Sequence, residues 1–244
     1  MSVPVIEICV DTLQGAHAAA RGGADRLELC AALSEHGLTP SLGLVQQAVQ
    51  TLSVPIHVMV RPRSGGFVYS ADELAAMEVD IEAFKRAGVQ GIVLGVLTPE
   101  NRVDVEQTRR LVALAAPLPV TFHRAFDDCA DLPQALEDVI ASGAKLILTS
   151  GGATTLARGA DAVADLVQRA AGRIEIIASS GVTIDSARGL WQATKAPAMH
   201  ASLRRRVRTN IRPAEIPGSE GRPGAAAAGP LEEDVRALVH CFRR

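Results

Sequence analysis

The stretch VIEICVDTLQGAHAAARGGADRLELC, residues 5–30, decides the architecture. It opens on a short β-branched run, passes polar punctuation, and continues as an alanine-rich segment of helical period. Glycines then close the helix and a second strand-like run, RLELC, follows. That order is one βα unit with the next strand attached. The same rhythm recurs to the end of the chain. Strands are expected near 5–10, 26–30, 56–61, 91–96, 119–124, 145–150, 174–178 and 198–202, with starts between about 21 and 35 residues apart.

Helix punctuation agrees with this spacing. Ser70-Ala71-Asp72-Glu73 is a capping box, in which the serine oxygen accepts a first-turn amide and the glutamate reaches back. Thr39-Pro40 and Asp131-Leu132-Pro133 set a capping side chain near a proline at a helix entrance. Gly22, Gly88, Gly143 and Gly172 are expected as left-handed helix stops.

Eight strands alternating with helices allow a closed barrel or an open doubly wound sheet. No G-x-G-x-x-G follows the first strand, so an α/β fold built as a single TIM-like (β/α)8 barrel is expected. The barrel body spans 1–202. Leu203 to Arg212 carries five arginines and reads as a solvated loop, with a phosphate or nucleic-acid contact as the alternative. Residues 213–229, rich in proline, glycine and alanine, read as a flexible connection, so 203–229 is a basic then Pro/Gly/Ala-rich connection. Residues 230–244 are expected to hold a last helix packed on the barrel.

Composition excludes several classes. The chain has 244 residues, enough for one such barrel. Its net charge is −2 with both signs interspersed, which argues against a nucleic-acid or membrane-surface partner. No apolar run approaches the roughly 18–20 residues of a membrane helix. Met1-Ser2-Val3-Pro4 leads straight into the first strand without an export signal, so a cytoplasmic location with reduced thiols is expected. Cys9, Cys30, Cys129 and Cys241 form no C-x-x-C pair.

Side chains alternate faces along a strand. In the first strand Ile6, Ile8 and Val10 must pack on helices, so Glu7, Cys9 and Asp11 share the interior face. Glu28 and Cys30 repeat this in the second strand, and His57, Met59 and Arg61 share a face in the third. His123 and Arg124 fall on opposite faces of the fifth, with Asp127 just beyond, and His200 and Ser202 close the eighth. An interior carboxylate is costly unless paired, so Glu7 and Glu28 call for cations, with Arg61 and Arg124 as candidates. Buried Glu–Arg pairs also fill barrels that have no chemistry. Cys9 and Cys30 by themselves read as small apolar fillers ahead of ligands. His57, at the start of its strand, reads as a core histidine.

Three loops at the C-terminal strand ends stand out. Arg61-Pro62-Arg63-Ser64-Gly65-Gly66 offers guanidinium forks suited to carboxylate or phosphate. Ser150-Gly151-Gly152 and Ser179-Ser180-Gly181 let backbone amides approach an anion. Tight turns alone would also account for them.

GGADRLELCAALSEHGLTPS (22–41), HVMVRPRSGGFVYS (57–70), GVLTPENRVDVEQT (95–108), VTFHRAFDDC (120–129) and LTSGG (148–152) resemble the CutC copper-homeostasis family. The likeness spans about residues 4–202. It implies a TIM-like barrel, a cytosolic location and a role in copper handling. The family usually carries a glycine-rich turn after strand seven, where this chain has Ser179-Ser180-Gly181.

Two functions follow as expectations. In the first, Cu(I), which prefers soft ligands, binds Cys9, Cys30 and Met59 from three adjacent strands. In the second, an enzyme acts on a small anionic or phosphorylated metabolite. Arg61, Arg124, Ser150, Gly151, Gly152, Ser180 and Gly181 would hold the anion, and Glu7, Glu28, His123 and Asp127 would supply acid–base chemistry. A binding protein with a relic site is a third. A homo-oligomer is admitted on general grounds only.

Overall fold

The computed structural model describes residues 3–206 and 227–243. The unit quoted above forms β1 (Val5–Val10), α1 (Leu13–Gly22) and β2 (Arg26–Leu29). There follow α2 (Leu42–Thr51), β3 (Ile56–Met59), α3 (Ala71–Ala87), β4 (Gly91–Leu94), α4 (Val105–Ala115) and β5 (Val120–Phe122). The series ends with α5 (Leu132–Ser142), β6 (Leu146–Thr149), α6 (Leu156–Ala170), β7 (Glu175–Ala178), α7 (Ile184–Thr194), β8 (Ala198–Ala201) and α8 (Glu232–Arg243). All eight main strands run parallel, and β8 pairs back onto β1, so the sheet is a closed TIM-like (β/α)8 barrel.

Strand parity divides the core. Ile6, Ile8, Val10, Leu27, Leu29, Ile147 and Ile176 face outward into the helix layer. The interior holds two smaller apolar clusters. Cys9, Cys30, Met59 and Val93 fill one half, and Leu146, Leu148, Ile177 and Ala198 fill the other. Between them lies a polar layer of Glu7, Arg26, Glu28, His57 and Thr121.

Several strands are shorter than their sequence runs. β3 stops at Met59 and β5 at Phe122 because the next residues leave the ladder and turn over the mouth. The Arg61 amide donates to Thr39 Oγ1, and Arg124–Asp128 forms a short 3-10 turn. Those displaced ends carry the candidate site.

Most helix signals act where expected. Ser70 and Glu73 complete the capping box, and Asp131 caps α5. Two positions differ. Ser41, not Thr39, caps α2, since Thr39 is held by Arg61. The left-handed stop of α1 is Gly23, not Gly22. Gly22 instead lets α8 approach, because a Cβ there would lie 2.5 Å from Val235 Cβ. Gly88 and Gly143 are the stops of α3 and α5, whereas Ala171 takes that role ahead of Gly172.

α8 buries Val235, Leu238, Val239 and Phe242, and Phe242 meets Trp191 of α7 edge-on at 5.8 Å. A two-residue antiparallel ladder joins Arg205–Arg206 to Ala227–Ala228. Most of the connection expected over 203–229 lies outside the described residues.

Candidate functional site

A cavity of about 300 Å³ opens at the C-terminal mouth of the barrel. Its floor and walls include Cys9, Glu28, Met59, His123 and His200, and its rim includes Arg61, Arg124 and Arg204. The C-terminal mouth is where barrels of this fold keep their active sites.

The Glu7 carboxylate lies below this floor, and a different cation answers it from those anticipated. Arg26 Nε donates to Glu7 Oε2 at 2.5 Å, and the same guanidinium reaches Glu175 Oε1 at 3.2 Å. Neither Arg61 nor Arg124 reaches Glu7. The other Glu7 oxygen lies 2.7 Å from His200 Nδ1. Burial alone would raise the Glu7 carboxyl, but the bond from His200 and the charge of Arg26 outweigh it and hold the group at about 2. Burial also opposes charge on His200, yet the Glu28 and Glu7 carboxylates carry its imidazole above the ordinary value. Arg26 and Glu175 were legible in principle. RLELC puts Arg26 on the face of Glu28, and IEIIA turns Glu175 inward by the same alternation.

Glu28 sits above Glu7. Its Oε1 accepts from Cys9 Sγ at 3.2 Å, while Oε2 is buried without a partner. Burial is the main cause of its raised carboxyl pKa. A thiol and a half-satisfied carboxylate thus share the cavity wall.

The sulfurs converge. Cys9 Sγ and Cys30 Sγ lie 3.6 Å apart, and both are free thiols. Together with a Glu28 oxygen, they offer three donor atoms within 4.8 Å of one another. Gly37, left-handed at φ 92°, covers them from the β2–α2 loop. A Cβ at Gly37 would lie 3.5 Å from both Cys30 Cβ and Met59 Cε, so Met59 and Cys30 pack against the same backbone. Two sulfurs bound at about 2.3 Å to one ion at a tetrahedral angle lie about 3.8 Å apart. The pair therefore needs no backbone movement to share an ion. The hydrogen bond with Cys30, then burial and the nearby Glu28, push the Cys9 thiol well above its ordinary pKa. Glu7, Glu28 and His200 form a second close donor set, but Glu7 is already used by Arg26 and His200.

His123 accepts the Ala125 amide at Nδ1, which leaves the ring proton on Nε2, and Nε2 has no partner. Burial, followed by the charge of Arg61, lowers its pKa to about 3, so the ring is neutral. Gly95 makes room for it, since a Cβ there would lie 2.6 Å from the imidazole. The buried His57 is also neutral, held down to about 4 chiefly by desolvation.

The arginine loop has a structural task. Arg61 binds the carbonyls of Glu35, Gly37 and Gly65, tying two mouth loops together, and lies 5.0 Å over the Phe67 ring. Asp127 and the first glycine turn form a closed unit. The Asp127 carboxylate accepts from Thr149 Oγ1, Ser150 N and Oγ, Gly152 N and Arg124 Nε. Asp127, Ser150, Gly151 and Gly152 do not line the cavity. An internal carboxylate fills the anion position of that turn.

The second turn is open. Ser179, Ser180 and Gly181 line the cavity, with Ser180 at φ 83° and Gly181 at φ 73°. Among the described residues, the amides of Ser180, Gly181 and Val182 have no protein acceptor, and Arg204 makes no ion pair. Arg204 was visible only as one of the five arginines of 203–212, and His200 only as an inward position on β8.

The profile of the CutC family matches residues 4–205. The CutC family protein of Vibrio atlanticus (strain LGP32) is 44% identical over 199 residues, 81% of each chain. That of Chromobacterium violaceum is 44% identical over 208 residues, 85% of this chain and 84% of the relative. Among solved structures, the proposed copper homeostasis protein CutC from Streptococcus agalactiae is 31% identical. It matches with a TM-score of 0.77 over 82% of this chain and 98% of its own. An aldolase, QR15, matches at a TM-score of 0.62 with 16% identity, a likeness of fold alone. Among the described residues no helix is long and apolar enough to cross a membrane.

Proposed function

The chain belongs to the CutC family, and on that premise we propose that it takes part in copper homeostasis by binding one cuprous ion between Cys9 and Cys30, with Met59 as a third soft donor. The observation that carries the proposal is the 3.6 Å separation of the two free thiols on neighbouring strands. Cuprous ion favours thiolate and thioether over oxygen and nitrogen donors. Cys9 and Met59 line the cavity, so an ion entering from the mouth meets them before the fully buried Cys30. The spare Glu28 oxygen supplies an acceptor for a proton displaced from a thiol. A reducing cytoplasm keeps such a pair as thiols, and the proposal places the protein there.

Competition titration against a chromogenic cuprous chelator tests it. The wild type takes up one ion per chain. The Cys9→Ser/Cys30→Ser double variant loses that uptake, while keeping the wild-type circular dichroism spectrum. Equal uptake by the double variant removes the site.

A further inference from the structure

We propose that the same cavity is a proton-transfer site for a small phosphorylated carbonyl compound, with His200 as the base. The inference stands apart from the sulfur site, because none of its residues is a sulfur ligand.

Hydrogen bonds set the proton positions. Glu7 Oε2 takes the Arg26 guanidinium, so Glu7 Oε1 meets His200 as a carboxylate oxygen, 2.7 Å from Nδ1. Nδ1 therefore donates, and the lone pair of the neutral ring sits on Nε2. Nε2 has no partner among the described residues, and the half-buried ring forms part of the cavity wall. Just after β5, His123 has the opposite tautomer. Its Nδ1 accepts from Ala125 N, so Nε2 carries a hydrogen that no group among the described residues receives. One cavity of about 300 Å³ thus contains an oriented base and an unpartnered neutral donor.

The rim supplies the anion site. Among the described residues, the loop after β7 has three amides without acceptors, and Arg204, which follows β8, makes no ion pair. Loops after strands seven and eight commonly hold phosphate in barrels of this fold. The comparable turn after β6 is already filled by Asp127, which shows how such a turn takes an anion.

The step balances without a cofactor. The C–H bond next to the substrate carbonyl breaks and its proton goes to His200 Nε2. The electron pair forms a C=C bond, and the carbonyl π electrons move to oxygen, where the His123 Nε2–H stabilises the enolate. In an α-hydroxy carbonyl compound the neighbouring hydroxyl proton then passes to the enolate oxygen, and that hydroxyl becomes the new carbonyl. Return of the proton from His200 Nε2 to the former carbonyl carbon gives an isomer of the starting compound. Glu7 is a positioning residue that holds the ring and balances its transient charge.

Proton NMR in D2O reads the step directly, with dihydroxyacetone phosphate, ribose 5-phosphate and ribulose 5-phosphate as probes. The wild type exchanges a carbon-bound hydrogen of at least one probe for deuterium. His200→Gln slows that exchange at least about 100-fold, the scale of general base catalysis. Glu7→Gln lowers kcat while KM changes less than about threefold, because positioning acts on the chemical step. Arg204→Ala, on the rim, raises KM about tenfold with kcat nearly unchanged. It also tests the site if His200→Gln does not fold. Absence of exchange by the wild type on all three probes overturns the proposal. So does exchange that survives His200→Gln, or an Arg204→Ala variant with unaltered KM.

Discussion

Arg26 and Glu7 form a 2.5 Å ion pair inside the barrel, with both side chains almost wholly shielded from water. Removing one partner leaves a buried charge that the other had answered. Arg26→Met is expected to cost about 3–5 kcal/mol, the usual penalty for breaking a buried pair. Urea unfolding of the variant at pH 7 measures it. A loss below about 1 kcal/mol would mean that water or His200 already compensates Glu7.

Acid destabilises this fold in a window that its histidines define. His57 and His123 are held at about 4 and about 3, against an ordinary 6.5. Below pH 6.5 the unfolded chain binds their protons and the folded chain does not, so stability falls as pH falls. Each imidazole contributes a slope approaching about 1.4 kcal/mol per pH unit. The raised His200 works the other way: its contribution is full below 6.5 and lost as pH rises through its folded value. Glu7, lowered to about 2 from 4.5, adds its loss only below pH 4.5. Urea unfolding at pH 6.5, 5.5 and 4.5 should show the decline, and His57→Gln should roughly halve its slope. An unchanged slope in that variant would show that His57 takes up a proton in the folded state.

Ser180 adopts φ 83°, where a side chain is disfavoured. The left-handed conformation costs a non-glycine residue about 1–2 kcal/mol, and glycine gives back about 0.5–1 in unfolded-state entropy. Ser180→Gly is therefore expected to stabilise by at most about 0.5–1 kcal/mol, with loss of the exposed bond from Ser180 Oγ to Thr154 O offsetting part of the gain. Differential scanning calorimetry should show a raised Tm. A lowered Tm would mean that the serine bond outweighs the backbone strain.

Copper affinity should depend on pH. The Cys9 thiol is held well above its ordinary pKa by Cys30, burial and Glu28, so an incoming ion must displace its proton. Apparent affinity for Cu(I) is expected to rise about tenfold per pH unit for each displaced proton between pH 6 and 8. Chelator competition at three pH values checks this, and a flat profile would contradict thiolate ligation by Cys9.

The barrel was legible because period-2 strands and capped helices alternate along the chain from Val5 to Ala201. The same alternation placed Glu7, Cys9, Glu28, Cys30 and Met59 inside it. Pairing across the barrel was not legible. Arg26 and Glu7 are partners because β1 and β2 pair in a register that sets them opposite each other, and sequence alone does not reveal register. Asp127 looked like an open carboxylate because its donors come from the end of β6 and the turn after it, beginning 22 residues further on. Ser180 and Ser150 carry similar motifs, yet only the Ser150 turn meets an internal anion. Arg204 gained its place from chain direction after β8, which no local pattern encodes.

X-ray absorption at the copper edge on the protein loaded with one equivalent of Cu(I) tests the sulfur site most directly. The account predicts at least two sulfur neighbours at about 2.3 Å, a typical metal–thiolate distance, falling to none from Cys9 or Cys30 in the double serine variant. A first shell of nitrogen and oxygen alone, or one unaltered in that variant, would contradict it.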